Sequence, residues 1–153
     1  LTATYDWEYS SQSKPTDSEY WCVRIGDWSC PWNRQLAKER KSKNLSWIEQ
    51  PQTIHEVGST FTVQGFDLNY VGVIIGPSVK YRNGKIIFDI SESKNKSAVQ
   101  NRKLESGEMI NYGETLLRNE LNVLLTRGVN GLYIYAVDEE LQNALKKAIG
   151  NIK

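Results

Sequence analysis

The stretch Ser59-Thr-Phe-Thr-Val-Gln-Gly-Phe-Asp-Leu-Asn-Tyr-Val-Gly-Val-Ile-Ile-Gly76 decides the fold. Tyr70 to Ile75 is a continuous apolar run, the pattern of a strand buried on both faces of a parallel sheet. Gly76-Pro77 stops it. Thr53 to Thr62 also reads as a strand. Between the two lies a polar turn, Val63-Gln64-Gly65-Phe66-Asp67, where a core would not ordinarily be broken.

Working outward, Lys80 to Arg82 and Lys85 to Asp89 flank Asn83-Gly84. These two residues tolerate the positive φ of a type I′ turn, so the segment predicts a β-hairpin. Ser91 to Gln100 has no hydrophobic periodicity and predicts a loop of weak order. A helix follows: Asn111 with Glu114 three residues on suits a capping arrangement, and Leu116, Leu117, Leu121, Val123, Leu124 and Leu125 form a wide apolar stripe. Gly128 and Gly131 end it. Leu132 to Val137 predicts a further strand, and Asp138 caps a last helix bearing Leu141, Ala144, Leu145, Ala148 and Ile149. Strands alternating with helices predict an α/β layer fold with a mostly parallel sheet.

The character of the chain changes near residue 50. All five tryptophans lie before it. Residues 1–52 read as an aromatic-rich N-terminal lead-in packed on the lobe formed by residues 53–153, within a single structural domain. In the lead-in, Leu1 to Tyr5 predicts a strand, Ser10 to Ser18 a loop, and Trp32 to Lys43 a short basic helix or an exposed loop. Trp21, Trp28, Trp32 and Trp47 offer stacking faces to single-stranded bases, although Trp more often anchors packing.

The 153 residues suffice for one domain with a real core. Nineteen basic and 18 acidic residues give a net charge of +1, which excludes a whole-domain signature of nucleic-acid or membrane binding and leaves only local contacts. No apolar run approaches the roughly 18 residues that span a bilayer. The chain begins with Leu and shows no targeting segment, which suggests a piece excised from a longer protein. Cys22, Cys30 and the single His55 do not make a zinc site without recruiting carboxylates, so no metal is expected. Two ordinary thiols fit a reducing cytoplasm.

Two polar interruptions carry the candidate chemistry: Gln64-Gly65-Phe66-Asp67, read as following a strand, and Thr126-Arg127-Gly128 after a helix. In an open α/β sheet, ligands bind outside the carboxyl ends of the strands, so both turns are expected to face one ligand there. Gly65 would allow close approach of a phosphate, Asp67 would accept from a sugar hydroxyl, and Arg127 would stabilise charge on a transferring phosphoryl group. The plain alternatives are an ordinary strand-to-helix turn, and a helix end with Arg at the negative dipole and Gly in the αL position.

Ser59 to Val73 resembles motif V of superfamily-one helicases, a Thr-x-His-x-x-Lys/Gln-Gly-x-Glu-Phe-Asp pattern before a buried strand. Asn122-Val-Leu-Leu-Thr-Arg-Gly128 with Gly131-Leu-Tyr-Ile-Tyr135 resembles motif VI. More closely, Trp21-x-Val-Arg-Ile-Gly-Asp27, Pro31-Trp-Asn33, Val71-Gly-Val-Ile-Ile-Gly-Pro77 and Tyr81-Arg-Asn-Gly-Lys85 look like the C-terminal part of the Schlafen-group-three-type DNA/RNA helicase domain, a bacterial family. The resemblance runs from about Ala3 to Leu145.

The resemblance implies a second RecA-like, three-layer lobe with a β-hairpin insertion. It implies Gln64, Gly65, Asp67 and Thr126 at a nucleotide and nucleic-acid interface, and Arg127 as an arginine finger. Asp67 stands where superfamily-one helicases usually have Glu, Phe61 where they have His, and Ser59 where they have Thr. The chain has no Gly-x-x-x-x-Gly-Lys-Ser/Thr sequence, so it is not a complete ATPase and should be inactive alone. ATP and Mg2+ are expected in the full-length protein, with the N-terminal RecA-like lobe and single-stranded nucleic acid as partners. The alternative reading is a nucleic-acid- or protein-binding module with a vestigial nucleotide site.

Overall fold

A computed structural model describes residues 1–38, 40–42 and 44–150. Glu39 and Lys43, both in the segment read as basic helix or loop, lie outside the described residues, as do residues 151–153. In chain order the elements begin with β1 (Thr2–Ala3), β2 (Cys22–Ile25) and β3 (Trp28–Pro31). They continue through α1 (Thr60–Val63), β4 (Leu68–Ile75), β5 (Val79–Arg82), β6 (Lys85–Phe88), α2 (Lys96–Val99), β7 (Arg102–Lys103) and β8 (Met109–Ile110). The chain closes with α3 (Gly113–Leu125), β9 (Gly128–Ala136) and α4 (Glu139–Gly150). Short 3-10 turns at Arg40–Ser42, Trp47–Glu49 and Pro51–His55 complete the lead-in.

The fold is α/β. Its main sheet is parallel throughout, in the order β1-β4-β9, and β4 is the central strand that its unbroken apolar run predicts. Side chains alternate across a strand. Val71, Val73 and Ile75 therefore enter one core with Leu121 and Leu124 of α3 and Leu141 of α4. Ile74 faces the opposite way, into a second core with Ala3, Val23, Trp32 and Val57. Leu124 is fully buried, and burying such a side chain is worth about 1.5–3 kcal/mol. Residues before position 50 thus supply both a strand of the sheet and most of the second core. Trp32 and Trp47 are buried, and their indole N–H groups donate to the Glu8 carbonyl at 3.1 Å and to Glu56 Oε2 at 2.8 Å. Packing, not base stacking, occupies these two.

The β5–β6 hairpin turns at Asn83 and Gly84, with φ of 52° and 78°, as the type I′ turn requires. Asp138 caps α4 by accepting the Leu141 N–H at 2.9 Å. Asn111 acts one residue earlier than the ordinary N-cap position, its Oδ1 accepting the Gly113 N–H at 2.7 Å.

Three expectations are corrected. Thr53 to Thr62 is not a strand: Pro51 starts a 3-10 turn, and the Ser59 N–H donates to Thr62 Oγ1 at 2.9 Å where α1 begins. Local capping outweighs the β-branched composition there, and Ile54 is left 82% exposed. Ser91 to Gln100 is not a loose loop, because Asn95 Oδ1 caps α2, Lys94 N–H donates to the Tyr5 carbonyl at 2.8 Å, and Ala98 is buried. Gly128 is not in the αL conformation. It opens β9, and a Cβ there would strike the Gly131 carbonyl oxygen and lie 3.0 Å from Val71 Cγ1.

Candidate functional site

The two polar turns meet. Gln64 ends α1, and Gly65, with φ of 84°, reverses the chain into open space. Asp67 then leads into β4. Across from it α3 ends at Leu125, and the Leu68 N–H donates to the Arg127 carbonyl at 2.8 Å, beside the Leu68–Gly128 pairing of β4 with β9. Because residues before Gln64 form a helix instead of a strand, both turns lie at the amino ends of neighbouring parallel strands. The expectation that they sit at carboxyl ends is corrected on this ground.

Arg127 is held from three sides. Its Nε donates to the Val123 carbonyl at 3.0 Å, Nη1 to the Phe66 carbonyl at 3.3 Å, and Nη2 to Thr126 Oγ1 at 3.3 Å. Asp67 Oδ1 lies 3.8 Å from Nη1. Asp67 is largely exposed, and such a surface pair contributes only about 0–1 kcal/mol. The cation also neutralises the negative end of α3. A guanidinium carries five N–H donors, so Arg127 retains donors for an anion while its position is fixed. Thr126 donates to the Asn122 carbonyl at 2.8 Å.

Asp67, Thr126 and Arg127 are therefore brought together. Gln64 is not with them. Its side chain lines a separate cavity of about 280 Å³ between α1, α2 and α3. Of the other two positions that depart from motif V, Ser59 is fully buried and donates to Asn33 Oδ1 at 2.8 Å, so it faces no ligand. Phe61 is exposed.

Sequence reading passed over Glu120. It lies in the buried stripe of α3 with Leu117, Leu121 and Leu124, and a carboxylate in such a stripe is the signal that marks it. Burial pushes its carboxyl up to about 7, although the Tyr5 N–H and the Asn95 amide both bond to it. Asp6, also buried, is raised for the same reason.

Among the described residues no three His, Cys, Asp or Glu side chains gather into a metal site. Among the described residues Asp67 is the one carboxylate paired with Arg127, and a single carboxylate offers too few oxygen ligands to cage Mg2+.

The family model for the Schlafen group 3 DNA/RNA helicase domain matches residues 1–138. The chain belongs to that family. Similar chains are not confined to bacteria: an uncharacterized protein of Saccharomyces cerevisiae is 37% identical over 147 residues, covering 95% of this chain. The chain spans 30% of that relative's length. No solved structure matches this Schlafen group 3 domain. Among the described residues no helix is long and apolar enough to cross a membrane.

Proposed function

We propose that this helicase-family chain is the second, C-terminal RecA-like lobe of an ATP-dependent helicase or translocase acting on single-stranded DNA or RNA. The observation that carries the reading is the meeting of the Gln64–Asp67 turn with Thr126-Arg127 at the amino ends of β4 and β9. There Arg127 is the arginine finger, reaching a γ-phosphate held by the N-terminal lobe. Gly65 and Asp67 contribute to the nucleotide side, and Gln64 and Thr126 to the wall that continues toward the strand. ATP with Mg2+ would supply the phosphoryl group and its charge neutralisation when bound between the lobes. The role of this chain is to hold one guanidinium rigidly in place, since the carbonyls of Val123 and Phe66 already fix it. Pre-fixed charge acts on a transition state without reorganisation. The chain is placed in the reducing cytoplasm, in keeping with the free thiols of Cys22 and Cys30.

The test is ATP turnover by the full-length protein. Arg127→Ala is expected to lower kcat by roughly a thousandfold or more while nucleotide affinity changes little. Arg127→Lys keeps the charge but loses the fork, and should recover only a small part. Near-normal kcat in either variant would remove Arg127 from the reaction. A second reading, a binding module with a vestigial nucleotide site, is favoured by one observation: three donors of Arg127 are already committed to its own helix end and turn. Turnover absent from the full-length wild type would select it.

A further inference from the structure

We infer that the cavity between α1, α2 and α3 is a pocket for one unstacked base of a single strand, selecting bases that carry an exocyclic amino group. The inference rests on the reading that the chain acts on single strands, and it gives Gln64 a partner that Arg127 does not share.

The floor is built around Glu120. One oxygen, Oε1, takes the Tyr5 N–H at 2.7 Å, whereas Oε2 meets only the Asn95 amide, at 3.4 Å. Beside it the hydroxyl of Thr60 is buried with no well-formed hydrogen bond, yet it lies close enough to Glu120 to favour the ionised carboxyl. Glu120 is 7% exposed, and a buried acceptor left this open is costly unless a donor completes it. The side chains of Gln64 and Asn119 line the same cavity and make no hydrogen bond among the described residues. The cavity therefore offers an acceptor at its floor and two uncommitted amides on its walls.

Its shape and rim complete the match. At about 280 Å³ it lies just below the roughly 300–1,000 Å³ of pockets that take drug-sized ligands, so a single planar ring system is the right scale. Leu116 and Val123 give it apolar walls, and Phe61, 56% exposed, stands at its edge, its ring 5.7 Å from that of Tyr5 in an edge-to-face contact. Bases stack on such rings whatever their sequence. Arg102, also at the edge, spends one donor on the Ser97 carbonyl at 3.1 Å and keeps others for a backbone phosphate. Stacking and phosphate contact hold a strand. Above about pH 7 the Glu120 carboxyl is ionised, and its open oxygen then reads the base, because it accepts from an amino group and repels a carbonyl oxygen; the binding test is therefore run at pH 8.

The test uses fluorescence anisotropy of this chain with oligo(dT) strands carrying one central guanine or one central hypoxanthine, which differ by a single amino group. Wild type is expected to hold the guanine strand about tenfold or more tightly. Glu120→Gln keeps an oxygen for the Tyr5 N–H and so turns its NH2 toward the pocket, which should abolish the preference. Phe61→Ala and Asn119→Ala alter exposed side chains and leave folding intact. The first should weaken both strands, the second mainly the guanine strand. Equal wild-type affinity for the two strands, no binding of either, or a preference that survives Glu120→Gln would overturn the pocket. Strand selection with ATP turnover indifferent to Arg127 would sink the finger and leave the pocket standing; the converse result would do the opposite.

Discussion

The backbone N–H of Tyr5 donates to Glu120 Oε1 at 2.7 Å, so the chain leaving β1 is pinned to the middle of α3, 115 positions away. This bond crosses from the second core to the first. It also places a carboxyl where water cannot solvate its charge.

Stability should therefore fall as pH rises. The Glu120 carboxyl is raised from 4.5 to about 7, so between those values the folded chain keeps a proton that the unfolded chain releases. The stabilisation is fully present below about pH 4.5 and is lost as pH rises through 7, approaching about 3 kcal/mol. Glu120→Gln retains the acceptor for Tyr5 and removes this dependence. Urea midpoints at pH 5 and pH 8 check it: the variant should gain on wild type at pH 8. Any slope that remains belongs largely to Asp6, whose Oδ1 is buried without a partner. Parallel wild-type and variant profiles would contradict the assignment.

Asp138 is expected to govern the acid limb. Its carboxylate takes Arg82 Nη1 at 2.9 Å and Nη2 at 2.7 Å, and Oδ1 also accepts the N–H groups of Tyr81 and Leu141. These partners hold its carboxyl down to about 2, led by Arg82. The stabilisation is present above the ordinary value of 3.8 and is lost as pH falls toward 2. Asp138→Ala uncaps α4 and unties the hairpin at one stroke, costing about 2–4 kcal/mol. Asp138→Asn keeps the cap and should recover about half. Denaturant unfolding at pH 7 measures both, and an Ala variant within 0.5 kcal/mol of wild type would refute the joint role.

Gly65 and Gly128 should respond to the same substitution by different routes. Gly65→Ala meets no atom and is penalised only by its φ of 84°, about 1 kcal/mol. Gly128→Ala drives a methyl into the Gly131 carbonyl, which is backbone and cannot turn aside, and the loss should be at least twice as large. Thermal unfolding of the pair orders them. Equal losses would mean that the β4–β9 register yields more readily than its pairing indicates.

Sequence pattern carried β4, the β5–β6 hairpin, α3, β9 and α4, because each is written in local terms: an apolar run, an Asn-Gly turn, a stripe, a cap. It failed at 53–62. There the apolar and β-branched residues suggest a strand, while Pro51 and the Ser59–Thr62 capping contact impose turns that no period records. That one error also reversed the end of the sheet to which the candidate site was assigned. The pairing of the Gln64–Asp67 turn with Arg127 was legible as two motifs, but the carbonyls that hold the guanidinium were not. Glu120 was hidden for a further reason, since its surroundings come from Tyr5, Thr60 and Asn95 in three distant segments.

One feature of β9 reaches beyond ligand chemistry. The strand runs nine residues, Gly128 to Ala136, with neither a charge nor a proline, and among the described residues it pairs along one side only. Register with β4 sets Tyr133 and Tyr135 on the same face as Tyr70, all three exposed. A bare edge of this length is a template for another strand, and a rim of tyrosines makes such an encounter adhesive. A chain presenting this edge is expected to associate with its own copies as its concentration rises.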